Sequence, residues 1–371
     1  MGMWRRILTL ARKEFLALLK EPRSRVVIIV PPIVQLLVFG YAATFDLKHV
    51  PYAVYDEDGG AAARELLGHF SGSANFRQVA RISHQEEVAA LVDGKEALMV
   101  VHLPPTFSRD LAMGRSAPVQ IIVDGRNSNT AMLALSYARE IVSRFSADWA
   151  SEHGGAPLPA ELETRAWFNP NMESRWFLVP GIVGLLTLIV TLLVTALSVS
   201  REREQGTFDQ LLVTPLRPVE ILIGKAMPGF VIGVSEATFV AVMAILWFGI
   251  PFRGSFLTLY AGIGLFVMSA IGVGLMISSL AATMQQSLLG AFLFMVPAVI
   301  LSGFTTPIAN MPPLVQALTR LNPMRYFMVI LRGQFLEGTP FHLLTDQFWP
   351  MAVIGLVSLA LAGWLFRHRM H

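Results

Sequence analysis

The chain contains no cysteine among its 371 residues. Disulfides, thiolate zinc sites and thiol catalysis are thereby excluded. Charge is scarce too: Asp, Glu, Lys and Arg make up only 15% of a chain that is 54% hydrophobic, which is too little for an ordinary soluble enzyme of this length. The formal net charge is +3, and the basic residues cluster where membrane orientation would place them, so nucleic acid is not an expected partner. A phosphate-binding loop is missing, because Gly224-Lys225 is followed by Ala226 and lacks the upstream glycine. The eight histidines show no metal-ligand spacing, so no metal is expected. What the chain has in excess is long apolar runs. It reads as an integral membrane protein without an ATPase of its own.

Residues 1–25 carry seven Lys or Arg against two acidic residues, with Trp4, Leu8, Ala11, Phe15 and Leu18 at helical spacing. That pattern predicts an amphipathic interfacial helix. The apolar run over 26–45 is long enough for a first span and lacks an Ala-x-Ala cleavage site, which argues against a removed signal peptide. Residues 46–175 alternate short strand-like and helix-like runs and are expected to form an inserted α/β domain outside the cytoplasm. Five further spans are expected over 177–200, 226–252, 254–282, 287–304 and 347–366. The fourth and fifth share 51 uncharged residues, Gly254 to Phe304, and must turn near Thr283-Met284-Gln285-Gln286. Residues 305–346 read as short interfacial helices on the outer face, and 367–371 as a basic cytoplasmic tail.

Residues 201–225 form a charged island between the second and third spans, so they must lie outside the hydrocarbon. Gly206 offers a turn. Thr207 can cap a short helix through Leu211 to Val213, which Pro215 and Pro218 stop, and a second short helix carries Glu220 toward Lys225. Two prolines and an apolar-faced helix make a rigid elbow suited to docking a partner.

Glu202, Glu204, Gly206, Thr207, Leu211, Thr214, Pro215, Glu220, Gly224 and Lys225 resemble the cytoplasmic signature of ABC-2 type permeases, the membrane subunits of ATP-driven exporters. Asn322-Pro323-x-Arg325-Tyr326 before the sixth span and the Phe168-Asn169-Pro170 entry to the second span extend the resemblance along essentially the whole chain, and Gly333 belongs with Asn322, Pro323 and Arg325 to the expected outer-face helices. It implies an α-helical ABC-2 (type V exporter-like) fold with six spans, an elbow gripped by a separate ABC ATPase that carries ATP and Mg, and a second permease copy or paralogue. It also implies a bacterial inner membrane with both termini cytoplasmic, and cargo of drugs or other amphipathic molecules moved outward. A periplasmic adaptor and outer-membrane channel are further expected partners, alongside membrane lipids.

Glu236 stands inside the third apolar run, where a carboxylate costs about 2.5–3.5 kcal/mol on insertion scales. It is expected to line the translocation route and bias cargo toward cationic or polar groups; hydrogen bonding near Ser235 or Thr238 is the plainer alternative. Gln35 in the first span faces the same choice, with helix packing favoured. Two other functions compete: a proton-coupled secondary transporter using Glu236, and a membrane-anchored receptor using the outer domain. The absence of inverted repeats counts against the first, and four further spans without a signalling domain against the second.

Overall fold

The computed structural model describes residues 2–20, 22–41, 47–153, 168–169, 173–207 and 216–368. The chain divides into two compact units, Met1–Thr44 with Ala166–His371, and Phe45–Arg165.

Helices α1 (Met3–Lys20) and α2 (Pro22–Tyr41) open the first unit. Pro22 starts α2 without cost because the amide it lacks would be unpaired in a first turn. The second unit follows, with strands β1 (Val50–Asp56), β2 (Phe76–Ile82), β3 (Met99–Leu103) and β4 (Gln120–Val123) in the order β2-β1-β3-β4. β1 runs parallel to β2 and β3, while β4 pairs antiparallel with β3 at one edge. Parallel neighbours need crossovers, supplied by α3 (Ala61–Gly72) and α4 (Glu86–Asp93); α5 (Phe107–Ala112) and α6 (Ser128–Glu152) complete the unit. One sheet face buries Tyr52, Val54 and Met99 against Leu66, Phe70, Ala138 and Phe145. The other buries Ala53, Tyr55 and Val100 against Val88. The central strands are therefore apolar on both sides, as a parallel sheet covered on two faces requires.

The first unit resumes with α7 (Ser174–Glu204), α8 (Pro218–Leu246), α9 (Phe256–Leu280) and α10 (Met284–Ile300). A 3-10 turn (Ile308–Asn310) and α11 (Pro313–Thr319) precede α12 (Pro323–Arg332), a π-helical turn (Gly333–Glu337) and α13 (Phe341–His368). Among the described residues α7, α8, α9 and α13 are long and apolar enough to cross a membrane, and shorter apolar helices lie at Ile29–Val38 and Met284–Ile300. α7 is apolar all round and buried along most of its length, so it forms the axis of this unit. Two of its buried hydroxyls are satisfied within the helix: Thr187 donates to the Val183 carbonyl at 2.6 Å and Thr195 to the Thr191 carbonyl at 2.7 Å. In α9, Gly272 lies against Ser358 of α13 and Gly274 against Thr195 of α7, so two flanking helices approach closer than any side chain at these positions would allow.

One expectation is corrected: no separate short helix carries Glu220 to Lys225, because these residues are the first turns of α8, which Pro218 begins. The buried face of α1 is Ile7, Leu10, Ala11 and Leu18, while Trp4 is 75% exposed and Leu8 66%. Of the residues at helical spacing, Ala11 and Leu18 thus pack inward with Ile7 and Leu10 against α7 and α8. α13 begins at Phe341, a few residues before the apolar run over 347–366.

Candidate functional site

α7 ends in a helix stop that fixes where the connecting elbow begins. Gly206 adopts φ +69°, the Gly206 amide donates to the Arg203 carbonyl at 3.1 Å and the Thr207 amide to the Glu202 carbonyl at 2.9 Å. This is a left-handed glycine stop with both terminal carbonyls satisfied. Thr207 also directs its hydroxyl back to Glu202, a partner on the preceding helix. The residues between this stop and α8 include Leu211, Thr214 and Pro215, which lie outside the described residues together with the short helix expected there.

At the other end of the elbow, the Glu220 carboxylate accepts from the Arg217 amide at 2.9 Å and caps the first turn of α8. The same carboxylate pairs with Arg6 of α1 at 2.9 Å and is almost fully buried. One turn further, Lys225 bonds Glu202 at 2.6 Å and Glu14 at 3.2 Å, and Lys13 bonds Glu202 at 2.9 Å. Leu10 packs against Gly224, where any larger residue would displace it. The two flanks of the elbow, α7 and α8, are thus pinned to each other and to α1. Burial pushes the Glu14 carboxyl above its ordinary value, against the opposing pull of Lys225. Burial pulls the Lys13 ammonium down, but the hydrogen bond and charge of Glu202 outweigh it and leave Lys13 above its ordinary value.

The next two residues of α7 reach in another direction. Arg203 donates to the Ser279 and Ala281 carbonyls at the end of α9, at 3.0 and 3.2 Å, and Glu204 accepts from the Met284 amide at the start of α10, at 2.8 Å. A cation at a helix C-terminus and an anion at an N-terminus each complement the local dipole. One dipeptide therefore clamps both sides of the α9–α10 turn, whose Thr283 caps α10 by accepting from the Gln286 amide.

Of the elbow residues singled out in the sequence, Glu202, Glu220 and Lys225 are buried and committed to ion pairs, whereas Glu204 and Gly206 are exposed. Sequence reasoning missed Arg6, Lys13 and Glu14 as members of this cluster. In the sequence Arg6 and Lys13 recur at the spacing of a solvated polar face, which hides their partners. The residues expected in the helices between α10 and α13 form a structural clamp. Asn322 caps α12 by accepting from Met324 and donates to the Ala298 carbonyl at 2.7 Å, Pro323 occupies the first helical turn, Arg325 donates to Thr319, and Gly333 accepts from the Thr339 amide.

Glu236 points from α8 to the wall of a pocket of about 350 Å³ lined by Phe15, Ile29, Ile33, Val231 and Phe239 among others. It is 7% exposed, and neither carboxylate oxygen has a hydrogen-bond partner among the described residues. Thr238 donates to the Val234 carbonyl and accepts from Tyr260, so it does not serve Glu236. Gln35 is not among the residues lining this pocket.

A helical unit axial on α7, with four helices long and apolar enough to cross a membrane among the described residues, defines a multi-pass helical membrane protein. The family model for ABC-2 family transporter proteins matches residues 23–366, and the chain belongs to that family. It is 40% identical over 370 residues to the probable multidrug ABC transporter permease YbhR of Escherichia coli, covering 99% of this chain and 100% of that one. It is 32% identical over 341 residues to the probable multidrug ABC transporter permease YbhS of the same organism, covering 90% and 89%. To the inner membrane transport permease YhhJ, also of E. coli, it is 28% identical over 366 residues, covering 98% and 97%.

Proposed function

We propose that this chain is the membrane-spanning subunit of an ATP-driven exporter, moving drugs or other amphipathic molecules out of the cytoplasm or the inner leaflet. A separate ATPase subunit holds ATP and Mg and docks on the elbow between α7 and α8, and a second permease copy or paralogue completes the pathway. The helices at 22–41 and 284–300 join the four longer ones to give six spans, both termini are cytoplasmic, and the α/β unit lies on the outer side, where a periplasmic adaptor could reach it. The observation that carries this reading is the double anchoring of the elbow. Glu202 and Lys225 tie its flanks to α1, and Arg203 with Glu204 ties it to the α9–α10 turn. Force applied at the elbow is therefore delivered to several helices at once, which a passive connector would not need.

The test is reconstitution of the chain with its ATPase in proteoliposomes. ATP hydrolysis stimulated by the permease, and ATP-dependent movement of an amphipathic dye, are expected. Dye movement driven by a proton gradient without ATP would instead favour a secondary transporter.

A further inference from the structure

The pocket beside Glu236 is built from three helices of one unit. α1 contributes Phe15, α2 contributes Ile29, Pro32 and Ile33, and α8 contributes Val231, Ile232, Ser235, Glu236 and Phe239. Among the described residues, Glu236 is the one ionisable residue in its lining and Ser235 the one other polar residue. Ile29, Ile33, Val231 and Phe239 are each more than a third exposed, so the pocket opens on the side of the helical unit through an apolar rim. Such a rim faces hydrocarbon more comfortably than water.

We propose that this pocket binds a lipophilic monovalent organic cation, admitted sideways from the membrane, with Glu236 as its counter-ion. The chemistry narrows the ligand. The Glu236 oxygens are closed off by their neighbours and have no donor among the described residues, so they do not offer the open lone pairs that a metal ion or a primary ammonium needs. A cation whose charge is spread beneath an apolar surface needs neither hydrogen bond nor direct ligation. A carboxyl without a partner in apolar surroundings keeps its proton; as the cation enters, that proton leaves to water, and the cation gains from the negative charge left behind in a medium of low dielectric. Phe15 and Phe239 add aromatic surface of the kind that favours such ions. A second copy covering the same opening would leave the carboxyl facing more apolar surface without a partner, which charge complementarity disfavours.

The proposal rests on the reading of the chain as a transport subunit, but its test does not use transport. Full-length protein in nanodiscs, without the ATPase, is titrated with radiolabelled tetraphenylphosphonium, and partition into empty nanodiscs is subtracted. Saturable binding is expected, with affinity reduced by about tenfold or more in Glu236→Gln. Val231→Trp, which fills the pocket and leaves Glu236 in place, should lose binding as well. Tetraphenylborate, of similar size and opposite charge, should not bind saturably. Both variants are checked for an unchanged melting temperature, and Glu236→Asp, which keeps the charge, should retain most of the affinity if Glu236→Gln proves unstable. Equal tetraphenylphosphonium affinity in wild type and Glu236→Gln, or undiminished binding in Val231→Trp, overturns the proposal. So does efficient disulfide cross-linking between copies of Ile33→Cys in membranes, which would assign the opening to a second copy. Intact cation binding with no ATP-driven transport would sink the exporter reading and leave the pocket standing.

Discussion

Lys225 and Glu202 meet at 2.6 Å although they stand at opposite ends of the elbow, one on α8 and the other on α7. Both are nearly removed from solvent, so neither charge is retained for solubility. Two ions moved out of water gain from each other only when well paired, and removing one strands the rest.

Lys225→Ala should therefore destabilise the helical unit by about 3–5 kcal/mol, because Glu202 and Glu14 lose their shared cation. The double variant Lys225→Met, Glu202→Met should recover much of that loss. Urea unfolding in detergent micelles, arranged as a double-mutant cycle, measures both. Additive losses would mean the two side chains act independently.

Gly206→Ala places a Cβ on a backbone at φ +69°, which costs about 1–2 kcal/mol. Gly206→Asn should cost less, since asparagine tolerates this conformation better. If the stop also sets the direction of the elbow, ATPase stimulation should fall in the same order while membrane insertion is unchanged. Full stimulation by a well-expressed Gly206→Ala chain would remove this residue from the coupling path.

Glu204→Ala removes the acceptor for the Met284 amide and should cost about 1 kcal/mol at the start of α10. Its more telling effect is predicted on coupling: stimulated ATP hydrolysis should drop more than stability does. Equal stimulation at matched protein amounts would show that the α9–α10 turn is not part of the transmission.

The α/β unit carries several carboxylates held below their ordinary range. For Asp58 burial opposes ionisation, but hydrogen bonds from Ser108 and the Gly60 amide outweigh it, and the shift is downward. Asp124 is lowered by its hydrogen bonds from Arg126. A depressed native value means stability that is present above the ordinary aspartate value of 3.8 and is lost as pH falls through the lower native one. A segment spanning residues 45–165 should thus unfold cooperatively and lose stability below about pH 4. Asp58→Asn should flatten that dependence. Circular dichroism melts between pH 2 and 6 distinguish the two.

The topology is open to a direct check because the chain has no native cysteine. Ser71→Cys, on the exposed end of α3, should react with a membrane-impermeant maleimide added to intact spheroplasts. Reaction only after the membrane is broken would reverse the assigned orientation.

Local patterns carried the strands and helices of the α/β unit well, since β1 and β3 are continuous apolar runs bounded by turn residues and Asn127 caps α6 as its residue type suggests. The glycines at 262, 264, 272 and 274 in the fourth apolar run suggest close helix approach; Gly262, Gly272 and Gly274 lie against neighbouring helices, whereas Gly264 has no such neighbour among the described residues. The candidate site was legible only in part. Glu202, Glu220 and Lys225 are conspicuous in sequence, but their partners on α1 lie 189 and 211 residues away, and no periodicity reports contacts at that range. Exposed charge and buried paired charge look the same in a string of letters. Glu236 was conspicuous for the opposite reason, being alone in an apolar run, and its pocket needed α1 and α2 to be brought beside it.

The burial of α7 bears on how the protein is made. Its sequence is apolar enough to leave the translocation machinery into lipid without help, yet in the finished fold it has hardly any surface left for lipid to touch. Every lipid molecule that surrounds the newborn helix must later be displaced by α8, α9, α10 and α12. Substitutions on α7 that leave its hydropathy unchanged, such as exchanging Leu186 for isoleucine, would thus pass insertion and fail later, at the gathering of the helices. Loss of this kind would be seen as protease-sensitive protein already in the membrane rather than as protein that never reached it.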